Sequence, residues 1–326
     1  MRDIVEMLQK SRRVFAASHI DPDGDAIGSL LGFTWIMRAL GKAVTPSLAD
    51  GAPWRFQDLP GASDIAAVKP DAEHDVLVAL DASELSRLGS VLTADDIAGR
   101  PLLVIDHHVT NSGFGTANLI DPVAASTAEM VYLLGVQLGA PIGLDAATCL
   151  LTGVVTDTLG FRTTNTTPRV LEVAQRLMQA GANLPDISRR AFNSQTYASL
   201  CLTAEALHKM QMADGVVWTE LTQEMLKRFA IDPGDWAGIV GQLASVREAD
   251  AAVVFRERED GRIDISMRSK PGLNLAPVAL SLGGGGHPQA AGATLPAPMS
   301  AVRERVVAEL TQAVAAHRAA TAGEAA

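Results

Sequence analysis

The stretch SHIDPDGDAIGS (residues 18–29) places His19, Asp21, Asp23 and Asp25 within seven positions, broken by a proline and a glycine. Acid groups at this density in an otherwise apolar segment are costly to fold unless something neutralises them. A calcium loop is one reading, since Asp21, Asp23 and Asp25 fall at positions 1, 3 and 5 of an EF-hand frame. It fails at both diagnostic positions: Ala26 stands where the frame needs glycine, and Gly32 where it needs a bidentate glutamate. A plain acidic turn is a second reading, because Asp, Pro and Gly favour turns and Asp25 would cap the helix that follows. It leaves His19 unexplained. The third reading is a transition-metal site. An imidazole converging with carboxylates suits Mn2+ or Zn2+ better than Ca2+.

One turn cannot complete such a site, so other elements must deliver ligands to the same place. Residues 14–18 (VFAAS) read as a strand that His19 closes, and 26–41 as a helix stopped by Gly41. VLVAL (76–80) and LLVI (102–105) are apolar throughout, as strands buried on both faces are. The first runs into Asp81, the second into Asp106, His107 and His108. A long apolar helix over 145–158 finishes at Asp157. Further helices are read at 126–139, where Ser126 and Glu129 have capping-box spacing, and at 168–181, between Pro168 and Gly181. Alternating strands and helices imply an α/β fold whose N-terminal parallel sheet carries helices on both faces. Such sheets place ligands at the carboxyl ends of their strands, which is where these acids and imidazoles fall.

The pattern changes near residue 186. A helical stretch with no flanking strand follows and reads as a connector. Beyond it come a strand at 215–221, a hairpin over 251–269 that turns at Asp260-Gly261, and a final amphipathic helix. The expected organisation is a catalytic domain over 1–186, a helical connector over 187–209, a smaller domain over 210–318 and a disordered tail over 319–326.

The formal net charge of −10 argues against a protein that coats long duplex nucleic acid. A metal or an arginine cluster can still reverse the field at one site. No GxSxG, HExxH or GxxxxGK[ST] pattern offers another catalytic apparatus. The longest uncharged run, 271–302, holds five prolines and a run of glycines, so a membrane partner is not expected. The N-terminus lacks the apolar segment of a signal peptide. Cys149 and Cys201 sit among apolar neighbours and are expected to be buried thiols of a cytoplasmic protein. His74, His208 and His317 read as structural or exposed.

In order, SHIDPDGDAIGS, ALDASELSRLG, VIDHHVTNSG and GVVTDTLGF resemble the four motifs of the DHH phosphoesterase family. GGGGHPQAAGA (283–293), preceded by ISMRSK (265–270), resembles the DHH-associated C-terminal domain, which implies a smaller α/β domain with a mixed sheet. The compact length looks most like the NrnA-type oligoribonuclease and pAp phosphatase branch. The resemblance implies two divalent ions, usually Mn2+, with Mg2+ or Co2+ as substitutes. His19, Asp23 and Asp81 would hold one; Asp25, Asp81, His107 and Asp157 would hold the other, with Asp81 bridging. By the same resemblance His108 faces the substrate and Asp106 orients an imidazole, so His108, Asp106 and Asp81 are the catalytic candidates. Arg268, Gly285, Gly286 and His287 would grip the non-scissile end of a short nucleotide, with Arg247 as a further candidate. Metals on one domain and a grip on the other would form a ruler across a cleft. That ruler favours short RNA or DNA oligonucleotides, dinucleotides such as pApA, and pAp over long polymers. A homodimer is compatible with this scheme. The alternatives are a stand-alone cyclic di-AMP phosphodiesterase and, in another class, a non-catalytic nucleotide-binding protein.

Overall fold

The computed structural model describes residues 2–230, 236 and 238–324. The chain divides into two units, Met1–Ser194 and Gln195–Ala326. The first contains α1 (Arg2–Lys10), β1 (Arg13–Ala17), α2 (Gly24–Ala39), β2 (Ala43–Ser47), β3 (Val76–Leu80), α3 (Ala94–Ile97), β4 (Leu102–Asp106), β5 (Ala117–Ile120), α4 (Thr127–Gln137), α5 (Leu144–Asp157), α6 (Pro168–Gln179) and α7 (Leu184–Phe192). Its strands form one parallel sheet in the order β2-β1-β3-β4-β5. The two edge strands were not legible as strands. β2 contains Pro46, which only an edge position tolerates, and β5 is half-exposed.

Because side chains alternate across a strand, the continuous apolar runs of β1, β3 and β4 feed two cores. Val14, Val78 and Ile105 pack with α2, α4 and α5, whereas Phe15, Leu77 and Val104 pack with Leu88, Val91 and Leu92. The long helices therefore gather on one face. The opposite face is covered by the short helical turn Leu85–Leu88 and by residues around α3. The connections leave β1 and β3 in opposite directions, so their carboxyl ends flank the switch point at which open α/β sheets form a crevice.

The second unit contains α8 (Tyr197–His208), β6 (Gln211–Ala213), β7 (Val216–Leu221), α9 (Gln223–Phe229), α10 (Gly238–Ala244), β8 (Ala251–Glu257), β9 (Arg262–Ser269), α11 (Ala276–Ser281), β10 (Gly285–His287), β11 (Ala290–Pro296) and α12 (Met299–Glu324). Its sheet runs β10-β11-β9-β8-β7-β6 and is mixed, with β7 and β8 parallel and the other pairs antiparallel. Val253 and Phe255 face the α11–α12 side; Ala252 and Val254 face α8 and α10.

The stretch read as a connector is two helices. Ile187 of α7 joins the first unit's core, while Leu202 and Ala206 of α8 join the second unit's. Residues 193–196 (NSQT) break them because Asn and Thr favour helix ends; Thr196 caps α8 by accepting from Ser199 N–H at 3.0 Å. Residues 319–324, expected to be disordered, continue α12, in keeping with the helix propensity of their alanines. Residues 325–326 lie outside the described residues. Cys149 is buried as expected, but Cys201 is only half-buried. Among the described residues no helix is long and apolar enough to cross a membrane.

Candidate metal centre

At the carboxyl edge of the first sheet, His19 lies just beyond β1, Asp81 follows β3 directly, and Asp106 ends β4 with His107 and His108 immediately after it. His19 Nδ1 lies 2.7 Å from the Ile20 carbonyl oxygen, which requires the proton on Nδ1. Nε2 is thereby presented to Asp81 at 3.6 Å and Asp23 at 3.9 Å. His107 repeats the arrangement: Nδ1 is 3.3 Å from the Ala124 carbonyl oxygen, and Nε2 is 3.7 Å from both Asp81 and Asp157. At these distances Nε2 is too far from the carboxylates for a good hydrogen bond; unprotonated it faces them repulsively, and only a proton or a metal ion makes the contact attractive. A cation between them reverses the sign. Donors about 2.1 Å from a shared ion stand about 3–4 Å from one another, so the donor set fits divalent metal ions.

Asp81 is the pivot. Its φ of 55° lies in the left-handed region, which aspartate tolerates better than most residues. Its N–H donates to the Ile105 carbonyl at 3.0 Å. One carboxylate oxygen, Oδ2, faces His19; the other, Oδ1, faces His107 and His108, each at 3.7 Å. Donor atoms of His19, Asp23 and Asp81 lie within 4.8 Å of one another, as do those of Asp25, His107 and Asp157, and those of Asp81, His107 and His108.

The helices complete the cluster through their ends. Asp23 caps α2, accepting from the N–H groups of Asp25 and Ala26, both at 3.0 Å. Asp25 is buried and accepts from the first turn of α4, Thr127 N–H at 2.6 Å and Ala128 N–H at 3.0 Å. Asp157 closes α5, and it reaches the site because α5 and α2 touch backbone to backbone. A Cβ on Gly28 would stand 2.6 Å from the Cys149 carbonyl oxygen, and one on Gly153 would stand 2.7 Å from Asp25 Oδ1.

The electrostatics show how much negative charge is gathered. Burial, reinforced by Asp81, Asp157 and Asp23, pushes the Asp25 carboxyl well above its ordinary range. Burial likewise pushes Asp157 up to about 7 against the pull of His107. Burial opposes ionisation of Asp81 as well, but the surrounding imidazoles of His19, His107 and His108 prevail and hold it low. His19 is raised against its burial by Asp81 and Asp23. Protons retained in this way are the charges that divalent ions displace.

Asp106 is directed elsewhere. Fully buried, it accepts from His108 Nδ1 at 2.7 Å, from Asn111 Nδ2 at 2.6 Å and from His108 N–H at 3.3 Å. The His108 imidazole is raised to about 9: burial lowers it, and Asp106, Asp81 and Asp157 more than offset that.

Residues 13–154 match the DHH family N-terminal domain, and residues 217–316 match the DHHA1 domain. A bifunctional oligoribonuclease and PAP phosphatase, NrnA, from Thermus thermophilus is 37% identical over 90% of this chain and 88% of its own. The chain belongs to the DHH family of phosphoesterases. A crystal structure of an exopolyphosphatase-related protein from Bacteroides fragilis superposes with a TM-score of 0.86 at 27% identity, covering 97% of this chain and 95% of that one. The cyclic-di-AMP phosphodiesterase GdpP of Geobacillus thermodenitrificans is 27% identical over 86% of this chain but only 44% of its own.

The cluster of this DHH chain thus gathers His19, Asp23, Asp25, Asp81, His107, His108 and Asp157, with Asp106 behind His108. Arg268, Gly285, Gly286, His287 and Arg247 belong to the second unit. Arg268 is half-buried on β9, donates to its neighbour's carbonyl (Met267) at 2.9 Å, and pairs in register with Ala290, which pairs with His287. Gly286 adopts a φ of 137° in the β10–β11 hairpin, where a side chain would be strained. Arg247 is 94% exposed, beside Glu248.

Sequence reading missed several supporting groups. Asn111 ties Asp106 to the Ala82 carbonyl, and Thr127 bonds Asp81 at 2.9 Å. Arg87 accepts from Ile20 N–H through its carbonyl at 2.7 Å, and its Nη2 stands 3.2 Å from His19 Nδ1. The glycines at 24, 28 and 32, spaced four apart, are the signal of close helix approach that the sequence reading did not use.

Proposed function

We propose that this DHH enzyme hydrolyses very short oligonucleotides, nanoRNA and dinucleotides such as pApA, to 5′-mononucleotides and removes the 3′-phosphate of pAp. The observation that carries this reading is the disposition of Asp81, whose two oxygens face two separate groups of His and Asp donors. In this reading His19, Asp23 and Asp81 hold one divalent ion, and Asp25, Asp81, His107 and Asp157 hold the other. Imidazole mixed with carboxylate favours Mn2+ over Mg2+ or Ca2+. Bound at these residues, the ions would supply Lewis acidity toward the phosphoryl oxygens and would lower the pKa of a water there.

The chain's own groups do the rest. His19 and His107 are held to one tautomer by backbone carbonyls, so their Nε2 atoms are committed to the centre. Asp106 fixes the His108 ring through Nδ1, which aims Nε2 at a non-bridging phosphoryl oxygen, where it donates as negative charge develops. In the second unit, Arg268, Gly285, Gly286 and His287 are assigned to the non-reacting end of the nucleotide. The exposure of Arg247 makes it the weakest of that set.

A turnover panel tests this. The protein with added Mn2+ is given RNA 2-mers, 5-mers and 24-mers, pAp, pApA and cyclic di-AMP, with Asp81→Ala alongside. Release of mononucleotides from 2-mers, fading with length and absent in the variant, is the expected result. The likeness to GdpP favours cyclic di-AMP as the second reading, and preferential cleavage of that nucleotide would establish it. Preference for the 24-mer would overturn both.

A further inference from the structure

Three of the candidate ligands, Asp25, His107 and Asp81, are held from outside by the N-terminus of α4 and the loop entering it. Its first two N–H groups bind the two oxygens of Asp25. The loop entering it supplies the Ala124 carbonyl that receives His107 Nδ1. Its first side chain, the buried Thr127, donates from Oγ1 to Asp81 Oδ1 at 2.9 Å.

This helix end is itself firmly anchored. Glu129, buried, accepts from Ala125 N–H at 2.7 Å and from Arg169 Nε at 2.6 Å, and Arg169 also reaches Asp121 at 3.1 Å. Ser126 accepts from Glu129 N–H at 3.1 Å, and Asn165 donates to the Ala125 carbonyl at 3.3 Å. Thr127 therefore projects from a fixed base.

We infer that Thr127 is a positioning residue that sets the rotation of the Asp81 carboxylate so that one oxygen serves each ion. A carboxylate has a soft, nearly two-fold terminal torsion. At Asp81 the sheet fixes the backbone but leaves that torsion open. Bridging requires the carboxylate plane to stay directed at both groups of donors. The Thr127 hydroxyl, fixed to Oδ1, restricts it. The inference rests on the two-ion reading, and it predicts something that reading alone does not: both sites weaken together when the hydroxyl of a residue assigned to neither ion is removed.

The test is a Mn2+ titration of wild type, Thr127→Val, Thr127→Ala and Thr127→Ser, following free Mn2+ by its electron paramagnetic resonance signal. Thermal unfolding of each metal-free protein is measured in parallel. Wild type is expected to take up two ions. Thr127→Val and Thr127→Ala should lose about 10–100-fold in affinity for both, the usual cost of removing a partner of a metal ligand. Thr127→Ser should stay within about threefold of wild type, because it keeps the donor. Should the valine variant not fold, the alanine variant decides the same point. Unchanged binding of both ions without the hydroxyl, or equal loss in the serine variant, would overturn the inference alone. A wild-type protein that binds no Mn2+ would instead sink the two-ion reading, and this inference with it.

Discussion

His108 is the residue whose role the geometry most sharply divides. Its ring lies close enough to Asp81 and His107 to be counted with a ligand group, yet its Nδ1 is spent on Asp106. If His108 acts on substrate, His108→Gln retains two Mn2+ ions while kcat falls about 100-fold with KM little changed. Loss of one ion in that variant would show that His108 is a ligand after all. Asp81→Asn should behave in the opposite way. It keeps shape and the Thr127 contact but loses the charge, so Mn2+ affinity should fall by more than the roughly 10–100-fold that removal of an outer partner costs. Isothermal titration of both variants separates the two outcomes. At this scale the sequence was most readable, because ligand-type residues recur at the ends of successive strands and of a long helix, and stand out together where no single one would. Asn111 and Thr127 were not, since an Asn in a turn and a Thr at a helix start have ordinary local explanations.

At the scale of elements, the centre depends on how closely α2 and α5 approach. Gly28→Ala places a methyl 2.6 Å from backbone atoms of α5, where neither partner is a flexible side-chain end. The expected cost is about 1–3 kcal/mol of stability, read as a lower Tm, together with weaker binding of the ion assigned to Asp25 and Asp157. Unaltered Tm and ion binding would mean that the helices can part without moving the acids. In the second unit, the β8–β9 hairpin is tied by Asp264, which pairs with Arg256 and Arg258 and accepts from Thr294 Oγ1 at 2.8 Å. Burial works against the Asp264 charge, but Arg256 and Thr294 hold its carboxyl below the ordinary 3.8. A lowered carboxyl contributes stability that is present above its unfolded value and lost as pH falls toward the folded one. Asp264→Asn should therefore be less stable than wild type by about 1 kcal/mol at pH 7, allowing for solvent screening, and the gap should close below about pH 4. Denaturant melts at pH 7, 5 and 3 measure it. Periodicity was enough to find β3, β4, α5 and α6. It missed β2 and β5, because short edge strands need not be apolar on both faces.

At the scale of the whole molecule, the charge limits what the enzyme can hold. With a formal net charge of −10, it has no surplus of cations to lay along a polymer. Binding of a short nucleotide through one or two phosphates should then depend only weakly on salt. A plot of log affinity against log salt concentration should have a slope no steeper than about −2. A slope near that of a protein neutralising many phosphates would reveal an extended basic track and contradict the short-substrate reading. Equilibrium binding of a 2-mer and of a 24-mer, which alone carries enough phosphates to reveal such a track, to the Ca2+-loaded protein from low to moderate salt provides the slopes.

The sequence by itself determined the parallel sheet, the hairpin and which acids and imidazoles fall at the ends of strands and helices. These follow from local rules: alternation, apolar runs, turn residues and the order of motifs along the chain. Only the tertiary structure decided that Asp81 turns one oxygen to His19 and the other to His107, that Asp106 belongs to His108, and that α4 aims three of the candidate ligands from behind. Those relations join residues tens of positions apart in the chain. They depend on which way a side chain rotates once its neighbours are packed, and no local pattern carries that information.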